Sequence, residues 1–179
     1  YRTRGLKESA ADYYRKAIGF IEENNLSKFS LPILYSELAT VLIDTGRYEE
    51  AAEELEKGKA RLTLPEYIWP LKLKQVILYS RTGRSAEART LFDRIRQGHG
   101  GYLTTASLTE AQLAIDLAEH EFGKALATLD KLIGLFKETG HSETYFYKLF
   151  QTRAEAYAET GNYEAAYKSQ KHYLDLYRK

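Results

Sequence analysis

The chain has 179 residues, 44% hydrophobic and 28% charged, a mixture too apolar for intrinsic disorder. With 26 Lys and Arg against 25 Asp and Glu, its net charge is +1, which disfavours nucleic acid as the main partner. Cysteine is absent, so disulfide frameworks and thiolate metal sites are excluded while the compartment stays open.

A glycine followed five residues later by an alanine organises what remains. The pairs are Gly5 with Ala10, Gly46 with Ala51, Gly83 with Ala88 and Gly161 with Ala166. A fifth copy, His120 with Ala125, keeps only the alanine. Consecutive alanines stand 41, 37, 37 and 41 residues apart, so one unit is repeated, which marks a stacked-repeat architecture. The chain begins at Tyr1, without methionine or a signal-peptide pattern. It is therefore expected to be part of a longer product, with 1–179 forming a single repeat domain.

In chain order, residues 6–25 read as a lone second helix whose partner would lie upstream. Residues 31–45 follow as a first helix with an apolar stripe of Tyr35, Leu38, Ala39 and Leu42, and 48–62 as a second helix carrying Ala51, Leu55 and Leu62. Between them, Thr45-Gly46-Arg47 makes the turn, where glycine lets the chain leave the helix left-handed. The alanine that follows lets the two helices approach closely. The same reading pairs 66–82 with 85–98, 104–119 with 121–139, and 142–160 with 163–178. Proline occurs only at 32, 65 and 70, near helix starts, where its missing N–H costs little. The link Gly98-His99-Gly100-Gly101 reads as a turn or as a kink between two halves. In the third pair, strict phasing puts Asp116 at an apolar place. A one-residue slip beside the missing glycine would restore Leu108, Ala111 and Ile115. In the last pair Phe150, Ala154 and Tyr157 are expected to face Ala166, Tyr173 and Tyr177.

These residues resemble the tetratricopeptide repeat family, with its turn glycine, an aromatic two residues on, and alanines in the second helix. Gly46-Arg47-Tyr48-Glu49-Glu50-Ala51 and Gly161-Asn162-Tyr163-Glu164-Ala165-Ala166 match closely, while Gly83 is followed by Ser85 and the third copy keeps Phe122 without a glycine. The resemblance covers about four and a half repeats. It implies an all-α, right-handed superhelical solenoid of antiparallel hairpins, and the long period is similar to repeats of bacterial regulatory proteins. It also implies that the first helices line a concave wall. The inward places there fall on Ser36, Thr40, Leu73, Ile77, Arg81, Glu110, Ala114, Gln151 and Glu155. The family's clamp for a C-terminal carboxylate needs lysines and asparagines where this chain has Ser36, Thr40, Leu73 and Ile77, so that partner is not expected.

Catalytic chemistry has little support. The histidines His99, His120, His141 and His172 lie 21, 21 and 31 residues apart, without metal-ligand spacing. His120 reads as a turn residue in the glycine's place, and His141-Ser142-Glu143 as a capped helix start. The glycine-rich link lacks the residues of a phosphate loop. No apolar run reaches the ~18 residues of a membrane span. Fifteen tyrosines are present, and Tyr35, Tyr48, Tyr79, Tyr157, Tyr163 and Tyr173 read as core. Lys168, Lys171, His172, Arg178 and Lys179 form a modest basic cluster interrupted by Asp175. The expectation is a peptide- or protein-binding module without catalytic activity, metal or cofactor. A sensor segment of a bacterial signalling or transcription-regulatory protein is the alternative, and an RNA-binding helical repeat a weaker one. Apolar residues around the terminal helices, such as Tyr13, Phe20, Tyr167 and Leu174, also predict self-association.

Overall fold

A computed structural model describes residues 2–24, 26, 30–62, 64–143 and 146–178. Among these the regular structure is entirely helical. The chain falls into two compact units, Tyr1–Leu103 and Thr104–Lys179, divided just beyond the glycine-rich link. That link is a tight turn, with Gly100 at φ +56° and Gly101 at φ +87°.

The first unit holds α1 (Arg2–Glu23), α2 (Leu31–Asp44), α3 (Tyr48–Ala60), α4 (Ile68–Arg81) and α5 (Ser85–Gly98). Helices α2 with α3 and α4 with α5 form hairpins; α1 packs on α2, α3 on α4, and α2 lies beside α4. Each second helix therefore supports the first helix of the next pair, the packing that lets repeats share one core. Tyr35, Leu38 and Leu42 of α2 meet Ala11 and Ile18 of α1, Ala51 and Leu55 of α3, and Leu71 of α4 in a single cluster. Pro32 and Pro70 sit in the first turns of α2 and α4, and Pro65 opens a short 3-10 turn, Pro65–Tyr67.

The second unit holds α6 (Thr105–Ala118), α7 (Phe122–Glu138), α8 (Lys148–Glu159) and α9 (Tyr163–Tyr177). Here α6 packs on α7, α7 on α8 and α8 on α9. The hairpin turns of both units are alike. Gly46, Gly83 and Gly161 each take φ +76°, and His120 takes φ +57° in the same place. The residue after each donates its N–H back to the helix it leaves: Arg47 to Leu42, Arg84 to Tyr79, Glu121 to Asp116 and Asn162 to Tyr157, all at 2.9 Å. Two turns carry the same brace, Arg47 gripping Glu50 at 2.6 and 2.5 Å and Arg84 gripping Glu87 at 2.8 and 2.5 Å.

Three expectations are corrected. The slip in the third pair does not exist, because the Glu121-to-Asp116 bond sets Asp116 in the place that Leu42 fills in the first hairpin. Asp116 is buried, as are Ala111 and Ile115. Its carboxylate is satisfied by Gln112 Nε2 at 2.6 Å and, across the hairpin, by Thr128 Oγ1 at 2.9 Å. The helix expected over 142–160 begins only at Lys148, with Tyr147 in its N-cap place, so His141-Ser142-Glu143 is not its start. Gly140, at φ +75°, ends α7, and Phe146 then turns inward to stack on Phe136 at 5.5 Å before the next helix starts. Gly5 lies inside α1 and makes no turn, and it is Ala11, not Ala10, that is buried. A glycine bends left-handed where a helix must stop, and helical residues flank this one on both sides.

Candidate functional site

The residues expected to face a partner lie on the first helices of the hairpins, and the structure sorts them by accessibility. In the first unit Ser36 and Leu73 are buried, at 4% and 3% exposure, and are removed from any contact surface. Thr40 and Ile77 are half-buried and Arg81 is exposed. Thr40 spends its hydroxyl proton on the Ser36 carbonyl at 2.9 Å, so it presents a methyl group and oxygen lone pairs. Ile33 was missed by the sequence reading although it is 57% exposed. Its signal was available, since it stands seven residues before Thr40 on the same stripe of α2. The accessible strip on α2 and α4 therefore consists of Ile33, Thr40 and Ile77, with Arg81 at the end of α4. The Arg81 guanidinium has no hydrogen-bond or ion-pair partner among the described residues.

In the second unit Glu110 and Ala114 are half-buried on α6, and Gln151 is half-buried and Glu155 exposed on α8. Gln151 Nε2 donates to Glu155 Oε1 at 3.1 Å, holding that carboxylate in place. This surface is acidic where that of the first unit ends in a cation.

The electrostatics describe structural ties. Glu50 and Glu87 are held below the usual carboxylate range by the hydrogen bonds of Arg47 and Arg84. Glu143 is lowered by the Lys137 ammonium at 2.8 Å, and more weakly by His172, whose Nε2 lies 3.2 Å away. Burial pushes the Tyr35 phenol up to about 12, against the pull of Arg61. None of these groups belongs to the accessible strip. Among the described residues no cluster of three His, Asp or Glu is placed to hold a metal.

Tyr163, expected in the core, is instead 73% exposed, whereas its counterpart Tyr48 packs against the core of the first unit. The basic cluster on α9 is partly neutralised, Lys168 bonding Glu164 at 2.5 Å and His172 bonding Glu143. Lys179 lies outside the described residues.

Family profiles described as tetratricopeptide repeat match residues 32–57 and 73–94, and another of the same description matches 147–179. Each matched segment crosses one of the glycine turns described above. These segments are tetratricopeptide repeats. The third hairpin lies outside the matched segments, yet its turn has the same φ sign and the same return hydrogen bond, so a tetratricopeptide-type turn persists where its glycine has become His120. Tetratricopeptide repeats generally mediate protein–protein interaction, typically as non-catalytic scaffolds, which supports a scaffold role with protein partners. Among the described residues no helix is long and apolar enough to cross a membrane. A comparison with curated proteins finds no match to this chain.

Proposed function

We propose that this tetratricopeptide-repeat chain is a non-catalytic module that binds a protein or peptide on its first-helix faces. In the first unit, the observation that carries this reading is the strip of Ile33, Thr40 and Ile77 ending in Arg81, which has no partner among the described residues. Packed helices hold such a strip rigidly, and rigid contact surfaces lose little entropy on binding. An apolar strip beside an unpaired guanidinium suits an extended or helical segment that pairs apolar anchors with an acidic residue. Glu155 and Glu110 would give the second unit the opposite preference.

The test begins with capture of the partner on the intact chain and identification of its binding segment by mass spectrometry. Titration with that peptide should then show that Arg81→Glu weakens binding at least tenfold. Glu53→Lys and Lys57→Glu, both on α3, should change it less than twofold. Equal losses at all three positions would overturn the first-helix surface as the binding face.

A further inference from the structure

A separate pocket opens on the opposite side of α4. It has a volume of about 370 Å³ and is lined by Gln75 and Tyr79 of α4 and by Glu87, Thr90, Leu91 and Arg94 of α5. Residues 75 and 79 lie one turn apart on the same face, roughly half a helical revolution from Ile77. In the first hairpin the equivalent places hold Leu38 and Leu42, which are buried in one core with Ala11 and Ile18 of α1. Polar and aromatic groups thus line a pocket in the second hairpin where the first has a closed apolar contact.

Of its hydrogen-bonding groups, Thr90 spends its hydroxyl proton on the Ala86 carbonyl at 2.9 Å, so the donors left to the pocket belong to Gln75, Tyr79 and Arg94. Lys59 Nζ donates to Gln75 Oε1 at 2.8 Å, which fixes the amide so that its NH2 points at the Tyr79 hydroxyl, 2.7 Å away. Tyr79 therefore accepts, and its own proton has no acceptor among the described residues. Arg94 likewise has no hydrogen-bond or ion-pair partner among them. The single carboxylate of the lining, Glu87, is already held by both nitrogens of the Arg84 fork, at 2.8 and 2.5 Å. The pocket thus presents a guanidinium unpaired among the described residues and a phenol proton beside Leu91, while one face of the Tyr79 ring is covered by the Arg84 guanidinium, 4.0 Å from its centroid. We infer that it is a second binding site, taking a carboxylate carried on an apolar or aromatic stem. A guanidinium binds a carboxylate through two parallel N–H bonds, and the apolar lining favours a stem over a bare inorganic anion.

The probe is 3-phenylpropionate, added to the intact isotopically labelled chain and followed through the amide NMR signals of residues 75–94. These signals should move saturably with 3-phenylpropionate and not with its neutral amide or with inorganic phosphate. Arg94→Gln should weaken the effect at least tenfold, and Tyr79→Phe severalfold, in variants whose helical circular dichroism matches the parent. Arg81→Gln should leave it unchanged, which separates this site from the first-helix face. Two capped peptides distinguish the source of the carboxylate: one ends in a free phenylalanine carboxylate, the other carries an internal Glu beside Phe and an amidated end. Binding of either supports the site and names its source. Equal shifts from the neutral amide or from phosphate, full binding by Arg94→Gln, or no saturable shift at all would overturn it.

Discussion

At the scale of single residues, glycine shows how two similar-looking positions diverge. Gly58 lies in α3, and a Cβ built there would stand 2.9 Å from Tyr35 Cβ and 3.3 Å from Leu71 Cδ1. Tyr35 Cβ adjoins the backbone of α2 and cannot swing aside, so Gly58→Ala should destabilise by about 1–3 kcal/mol despite alanine's better helix propensity. Gly134, within α7, has nothing within 4 Å of such a Cβ, so Gly134→Ala should stabilise by up to about 1 kcal/mol. Thermal melts of the two variants check the contrast, and a shared sign would contradict it. Tyr35 supplies a pH prediction. Its phenol titrates near 10 when unfolded and near 12 in the fold, because burial disfavours the phenolate. The folded state therefore holds a proton the unfolded state has lost between these values, and the stability present below pH 10 drains away as pH rises towards 12. The loss can reach about 2–3 kcal/mol at 1.36 kcal/mol per pH unit. Denaturant titrations of Tyr35→Phe should show a flatter alkaline limb than the parent, after allowance for a constant offset from the lost bond to Glu22 at 3.3 Å.

At the scale of helices, the alanine that follows each turn sets the interhelical distance. Ala51, Ala88 and Ala125 are fully buried, whereas Ala166 is half-buried on α9. Ala51→Leu should therefore overpack its hairpin and cost about 1–3 kcal/mol, while Ala166→Leu should cost clearly less. Equal melting losses at both positions would show that burial does not govern the packing of these hairpins. Asp116 makes the complementary point, since a carboxylate fills the place of a leucine when donors on both helices of a hairpin converge on it. The acidic range carries a smaller tie: Glu143, lowered mainly by Lys137, contributes stability above its unfolded pKa that is lost as pH falls through its folded one.

At the scale of the whole molecule, exposed aromatic surface stands out on the first and last helices. Tyr13 and Phe20 of α1 are 72% and 60% exposed, and Tyr163 and Tyr167 of α9 are 73% and 69% exposed. Apolar surface clustered in this way favours association. Sedimentation velocity over a wide concentration range should show oligomers that shrink in Phe20→Lys and Tyr167→Lys variants. A parent that stays monomeric at every concentration would refute this.

Much of this molecule is local in origin and could be read from the chain alone. Helices and turns follow from apolar spacing and from residues that tolerate a left-handed backbone, so α2, α3, α5 and α9 start where the sequence places them. The repeat itself is visible because three hairpins turn on the same glycine and alanine and a fourth keeps the alanine. What the chain alone could not decide depends on groups far apart in sequence. Asp116 is buried because Thr128 reaches it from the next helix, and α8 starts late because Phe146 finds Phe136. Ser36 and Leu73 fall out of the binding face because neighbouring helices cover them, while Ile33, on the same side of α2 as Ser36, stays open. The pocket beside α4 could not be foreseen either, since its character depends on Lys59 orienting Gln75 and Arg84 occupying Glu87. Periodicity states which face of a helix turns inward; only the packing of the other helices states how far in each side chain goes, and which polar groups meet there.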